Sequence, residues 1–267
     1  MYFNPVTDTP GGPPELYTLG MRSIRIHHAG PFSRGARLTL DDRTGLHLTR
    51  VLRLRVGAPV VIFDGRCSEH EAVLITTRDG RLGVEVGDAR QPVPPSPLAI
   101  TLAQGISRSE RMDYAIQKAT ELGVRAIVPL LCERSVVKLD SDQAERKRAH
   151  WCAVATSACE QSGRADLPTI VPPGRLDTHL AAASADAGKI LRLVLDPSCS
   201  TGPAALPSGL QAVELLIGPE GGLTDTELDL ARRAGYQSLR LGPRVLRTET
   251  AAAAAIAVLQ ALHGDLG

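Results

Sequence analysis

Hydrophobic and polar positions change rhythm once along this chain, and the change divides it. Before residue 90 the apolar residues come in brief runs, Arg22–Ile26, Val60–Phe63, Glu71–Thr77 and Arg81–Val86, each the length of a strand. Asp64-Gly65 and Asp79-Gly80 punctuate them, and such dipeptides favour tight turns because glycine accepts a positive φ. Between the first two runs, Asp41 or Asp42 can cap a short helix through Leu46, His47 and Val51, with His47 read as a packing residue. This succession predicts a small β-barrel over residues 21–90. Gln91–Pro97 (QPVPPSP) cannot pack as helix or central strand and is read as a linker.

From residue 98 onward, short apolar runs alternate with helical periodicity. Strands are expected at Leu98–Gln104, Val124–Leu131, Leu191–Leu195, Val213–Ile217 and Ser238–Leu241. Ser107-Arg-Ser-Glu110 reads as a capping box opening a helix to Leu122, with Gly123 as its left-handed stop. Asp142–Gln161 is a long amphipathic helix. Thr224-Asp-Thr-Glu227 is a second capping box, whose helix ends at Gly235, and Thr248–His263 is the last helix. Alternation of this kind predicts an α/β domain over 98–267, a largely parallel sheet with helices on both faces. The small side chains of Ala251–Ala255 let helices or subunits approach closely.

Composition adds limits. The 267 residues are 43% hydrophobic and 22% charged, the balance of a soluble globular protein, and the formal net charge of +1 does not advertise a polyanion partner. Its distribution does: residues 21–90 hold twelve Arg and no Lys against eight Asp and Glu, a local positive excess where phosphate could dock. The five cysteines are odd in number and never spaced as C-x-x-C, which argues against a disulfide framework and a zinc cluster, so no metal is expected. Residues 1–20, rich in Pro, Gly and Thr, read as a disordered extension. The most apolar stretch, Ala251–Leu262, is short of the roughly 20 residues a membrane span needs. No leader pattern opens the chain, so a cytoplasmic protein is expected.

Two expected strands run into unusual loops, Ile217–Thr224 (IGPEGGLT) and Leu241–Thr250 (LGPRVLRTET). Both begin Gly-Pro and both lead into a helix. In open parallel sheets, ligands gather at the carboxyl ends of strands, where such loops lie. A phosphate cradle fits poorly: neither loop matches a phosphate-binding glycine motif, neither contains Lys, and Glu220 would repel phosphate. A ligand that is apolar, aromatic and cationic suits them better, and S-adenosylmethionine has those properties.

These two loops resemble the RsmE family, the ribosomal RNA uracil-N3 methyltransferases of the SPOUT superfamily. The resemblance extends to Gln104–Pro129, Glu133-Arg-Ser135, Ala158–Arg164 and His47–Leu54, and so spans residues 21–267 in order. Ser107-Arg108-Ser109 departs from the Lys-Gly type sequence of many relatives. The resemblance implies a SPOUT-type parallel sheet with a deep trefoil knot, preceded by a PUA-like barrel that grips RNA. It implies a homodimer acting with S-adenosylmethionine on a uridine of small-subunit (16S) ribosomal RNA, alone or within the subunit. It places the donor on Leu195, Ile217, Gly218, Pro219, Glu220, Gly222, Leu241, Gly242, Arg244, Val245, Leu246 and Thr248.

Uracil N3 lies between two carbonyls, so methylation there requires loss of its proton and stabilisation of the resulting anion. Arg247 is the candidate for the charge on the uracil oxygens, because guanidinium presents a fork of fixed donors. Glu249 is the candidate base, against the alternative that it only complements the helix dipole. Glu220 could orient its loop or offset sulfonium charge. Arg22, Arg25, Arg50 and Arg53 are the candidates for phosphate contacts. Two other readings stand beside this one: a SPOUT enzyme acting on a ribose 2′-hydroxyl, and a noncatalytic RNA-binding assembly factor.

Overall fold

The computed structural model describes residues 23–137, 139–185 and 190–267. The expected N-terminal extension and Arg22 lie outside the described residues.

The first part of the chain forms β1 (Arg25–His27), β2 (Arg37–Thr39), α1 (Asp42–Leu46), β3 (Pro59–Phe63), β4 (Glu69–Thr76) and β5 (Leu82–Arg90). They pair in the order β1-β3-β4-β5-β2, with β1 parallel to β3 and the other pairs antiparallel. This curled five-stranded sheet closes on a core of Ile26, Ile62, Leu74 and Val84 from its strands, with Leu40 and Leu48 from the segment after β2. β2 escapes the sequence pattern because three residues are too few for an alternation to show. At α1 the Asp41 carboxylate accepts from the Thr44 amide at 2.9 Å, as a helix cap should. The chain then widens into a π-helical turn over His47–Val51. There Leu48 is buried, while His47, expected to pack, is exposed.

The second part contains β6 (Ala99–Gly105), α2 (Ser109–Glu121), β7 (Ala126–Leu131), α3 (Ser141–Ser162), β8 (Thr169–Ile170), β9 (Gly174–Arg175) and α4 (Leu176–Ala185). β10 (Leu191–Leu195), β11 (Ala212–Ile217), α5 (Asp225–Arg233), β12 (Gln237–Leu239) and α6 (Thr248–His263) follow. The strands lie in the order β12-β10-β11-β6-β7-β8, with β9 also on β7, and every pairing is parallel. Side chains alternate between two cores. Ile100, Leu102, Leu215 and Ile217 face α2, α3 and α6, whereas Ala103, Leu130, Val194 and Leu216 face α4 and α5. The alanine run does its work inside the chain: Ala251, Ala252 and Ala255 are buried where α6 meets α2.

The second capping box forms as expected, with Thr224 and Glu227 exchanging bonds at the start of α5. The first does not. Arg108, not Ser107, precedes α2, and the buried Ser107 hydroxyl donates instead to the Gly105 carbonyl at 3.3 Å.

Arg25 changes its expected role. Its Nη1 lies 2.5 Å from Glu69 Oε2, its Nη2 donates to the Arg164 carbonyl at 3.0 Å, and its guanidinium sits 4.8 Å from the centroid of the Phe63 ring. Phe63 in turn packs on Cys159 and Ala165 of the second part. The side chain of Arg25 is therefore committed to the junction between the two parts and turned away from any phosphate. Removing one member of such a desolvated pair strands the other. Arg25→Ala is expected to lower stability by about 3 kcal/mol in urea denaturation. Unchanged stability with weakened RNA binding would return Arg25 to the phosphate-facing surface.

Candidate active site

Because the sheet is parallel, β6, β10, β11 and β12 all end along one edge. Register fixes how: Ile217 lies beside Gln104, and Leu195 beside Leu239. The loop after β11 passes so close to β6 that a Cβ on Gly105 would stand 2.4 Å from the Pro219 nitrogen. A Cβ on Gly218 would meet the Leu223 nitrogen at 2.8 Å, so this glycine serves close approach, not an unusual φ. The positive φ values fall at Gly222 (+70°) and Gly242 (+69°), and at both the space where a side chain would project is open.

Thr248, the first residue of α6, joins the two Gly-Pro loops. Its hydroxyl donates to the Gly218 carbonyl at 2.6 Å and accepts from Gln104 Nε2 at 2.9 Å. Gln104 and Thr248 are both buried, so this chain of bonds runs in a medium where it is hard to replace with water. The backbone around 218 and the start of α6 at 248 are thus held together.

Glu220 supports the same loop from outside. Its Oε1 accepts from the Arg108 amide at 2.9 Å and lies 3.5 Å from Arg111 Nη1. A carboxylate there complements the positive end of α2 and takes the place Ser107 was expected to fill. Arg134 Nη1 donates to the Gly221 carbonyl at 3.1 Å, and the Glu133 amide donates to Glu227 Oε1 at 2.8 Å. On the other side, the buried Asp196 carboxylate accepts from the Ser198 amide, Arg232 and the Ser238 hydroxyl, tying the end of β10 to β12. Burial pushes the Asp196 carboxyl up, but these hydrogen bonds, with one from the Ser198 hydroxyl, more than offset it and hold it below its ordinary value.

The residues expected to hold a donor fall into two groups. Ile217, Pro219 and Thr248 are buried, and Leu195, Gly218, Glu220, Gly222, Leu241 and Leu246 are half-buried. Gly242, Arg244, Val245 and Arg247 are exposed, Val245 to 83%. Arg247 forms no ion pair among the described residues. Glu249 is half-buried, and its Oε2 is buried without a hydrogen-bond partner, as are Glu220 Oε2 and Gln104 Oε1. Arg50 and Arg53 are exposed on the π-turn and just beyond it. Sequence reasoning did not single out Gln104, Arg134 or Asp196. Only Gln104, a lone amide closing an apolar strand, carried a local signal.

Three buried acceptors lacking donors, beside glycine backbone that leaves room, suit a ligand bearing positive charge and N–H or O–H donors. S-adenosylmethionine has both, so the residues present fit it. Among the described residues no group of three or more His, Cys, Asp or Glu could hold a metal ion, and no helix is long and apolar enough to cross a membrane.

Comparison with known proteins identifies the family. A family model for an RNA methyltransferase domain matches residues 94–260, and one for an RNA methyltransferase PUA domain matches residues 40–85. The ribosomal RNA small subunit methyltransferase E of Mycobacterium tuberculosis (strain CDC 1551 / Oshkosh) is 32% identical over 85% of this chain and 87% of its own. The chain belongs to this methyltransferase E family. That of Bacillus subtilis (strain 168) is 29% identical over 82% of this chain and 89% of its own. Among solved structures, the family member from Neisseria gonorrhoeae, bound to S-adenosyl methionine, aligns with a TM-score of 0.83 and 36% identity. It covers 92% of this chain and 100% of its own. A putative methyltransferase from Legionella pneumophila, in complex with the same cofactor, aligns at a TM-score of 0.86 and 39% identity over the same shares.

The Thr248 bridge sets an expectation for this family member. Thr248→Val keeps shape but removes the hydroxyl that joins the Gly218 carbonyl to the Gln104 amide, leaving that carbonyl a 3.5 Å contact with Gln104 Nε2, which also donates to the Gly105 carbonyl at 3.0 Å. Affinity for S-adenosylhomocysteine, read by calorimetry, should fall roughly tenfold with the fold intact. Unchanged affinity would mean the bridge does not shape the site.

Proposed function

We propose that this protein transfers the methyl group of S-adenosylmethionine to N3 of a uridine in small-subunit (16S) ribosomal RNA. The observation that carries the reading is the joining of the two Gly-Pro loops through Thr248, with an unpaired Arg247 and an unpartnered Glu249 oxygen flanking the junction. When bound, the donor supplies an electrophilic methyl group on a cationic sulfur.

The chain's own residues supply the rest. Leu195, Ile217, Leu241 and Leu246 offer apolar surface for an adenine, while the backbone at Gly218, Pro219, Gly222 and Gly242, with Arg244 and Val245, surrounds it. Glu220, anchored to the start of α2, holds its loop in place and presents its second oxygen to positive charge. Glu249 Oε2, buried without a hydrogen-bond partner, accepts the N3 proton. Arg247 then stabilises the charge that spreads over the uracil oxygens. Positioning of N3 in line with the methyl supplies much of the acceleration.

Residues 21–90 act as the RNA-gripping module, 91–97 as the linker and 98–267 as the transfer domain. Arg50 and Arg53, on the exposed π-turn region, contact phosphate. After β12 at one edge of the sheet, the chain returns past β10 to pack α6 on β11 and β6, against α2. This crossing supports a trefoil-knotted path around the donor loops. The exposure of Val245 and Arg247 supports a homodimer in which a second copy covers the 241–248 loop. The setting is the cytoplasm, with the small ribosomal subunit or its RNA as substrate.

Mass spectrometry of ribosomal nucleosides from a deletion strain should show loss of 3-methyluridine. Loss of a 2′-O-methyl nucleoside instead would point to ribose as the target, and no loss would remove the enzyme reading. Arg247→Ala is expected to slow transfer by roughly 100-fold while leaving donor affinity near the wild-type value. Equal loss of both would make Arg247 a structural residue.

A further inference from the structure

A concave site lies where the two parts of the chain meet. It is a groove of about 530 Å³ between α2 and α3, with Arg43 of α1 at its rim. Its volume falls within the range that takes a small ligand such as a nucleotide. Tyr114 offers an aromatic surface that is 45% exposed. Asp113 is held in place by His150, whose Nε2 lies 2.9 Å from Asp113 Oδ2. The other oxygen, Asp113 Oδ1, is buried and has no hydrogen-bond partner. Gln117, one turn further along α2, adds an exposed amide to the lining.

From the geometry we infer that this groove receives an unstacked base of the RNA substrate, one next to the methylated uridine and carrying an amino group. The inference rests on the RNA methyltransferase reading above. Three features carry it. Single-stranded RNA is recognised by stacking splayed-out bases on aromatic rings and bonding their polar edges, and Tyr114 and Asp113 supply one of each. An ionised carboxylate only accepts, so Asp113 Oδ1 selects a base edge that donates, such as the amino group of guanine or cytosine. Arg43 supplies a cation for the attached phosphate, in a lining that also holds the exposed Glu110 carboxylate.

The third feature is position. The Arg108 amide at the start of α2 is bonded to Glu220 of the donor loop. Asp113 and Tyr114 come five and six residues later, about 7.5–9 Å along the helix. That separation suits a base neighbouring the one being methylated. α2 thereby becomes a ruler, with the donor loop at the residue that caps it and the neighbouring base one to two turns on.

The test uses the full chain and a synthetic RNA of small-subunit sequence around the target uridine, with a series of copies made abasic at single positions flanking it. Affinity is read by fluorescence anisotropy and methyl transfer separately. One flanking abasic position should weaken binding to the unaltered chain about tenfold. Tyr114→Ala should bind intact RNA about tenfold more weakly and lose nothing further on that abasic RNA, because both changes remove one contact. Asp113→Asn should weaken binding by a similar factor, and Tyr114→Phe should restore it. Melting temperature and affinity for S-adenosylhomocysteine should stay unchanged, which a merely structural role would not allow.

Wild-type affinity in Tyr114→Ala, or losses that add at every abasic position, would overturn the assignment. So would a change in oligomeric state on Tyr114→Ala, since the face would then be an interface between copies. RNA binding without methyl transfer by the unaltered chain would overturn the methyltransferase reading alone, with the groove still decided by the affinities. No RNA binding would overturn both.

Discussion

One hydrogen-bonded junction holds the site together: the Thr248 hydroxyl between the Gly218 carbonyl and the Gln104 amide. Each partner comes from a different stretch of chain, the end of β6, the loop after β11 and the start of α6. None is a neighbour of another in sequence, so the junction exists only because β6 and β11 are paired in one register. The bonds are buried, and breaking any one leaves a polar group without water to replace its partner. The glycines make this possible at short range. Gly105 and Gly218 carry no Cβ where one would collide with backbone.

The supports radiate outward from that point. Glu220 binds the loop to α2, Arg134 holds the Gly221 carbonyl, and Asp196 ties β10 to β12. Each support is a charge-assisted bond, roughly twice as strong as a neutral one, and each acts on backbone or on a strand end. A loop braced in this way can keep a donor and an acceptor aligned without rearranging during transfer. The N-terminal sheet is fixed to the same frame through Arg25, Phe63 and Arg164. The two parts are therefore held at a set distance from each other.

Much of this was legible in the sequence, for physical reasons that differ by element. β10 and α6 match their expected ends because β10 is an apolar run broken only by Arg192 and α6 is a periodic one. Both Gly-Pro loops stood out because glycine and proline restrict what a chain can do next. The capping box at Ser107 was misread because its partner arrives from afar: Glu220, 112 residues away, bonds the amide before α2. α4 was missed because Ala and Ser dominate it, leaving few large apolar residues to mark a period. Arg25 looked like surface charge because nothing local reveals that Glu69 and Phe63 fold over it. His47 was placed in the core because an α-helical period does not foresee a π-turn. Local chemistry reads well from sequence, and long-range partnership does not.

The central claim is that residues 217–222 and 241–248 make one cavity for a sulfonium nucleoside. A crystal structure of the protein grown with S-adenosylhomocysteine tests it most directly. The account predicts the adenine against Ile217, Leu241 and Leu246, with the sulfur directed towards Arg247 and Glu249. Nucleoside density anywhere else, or loops moved apart with the Thr248–Gly218 bond broken, would contradict it.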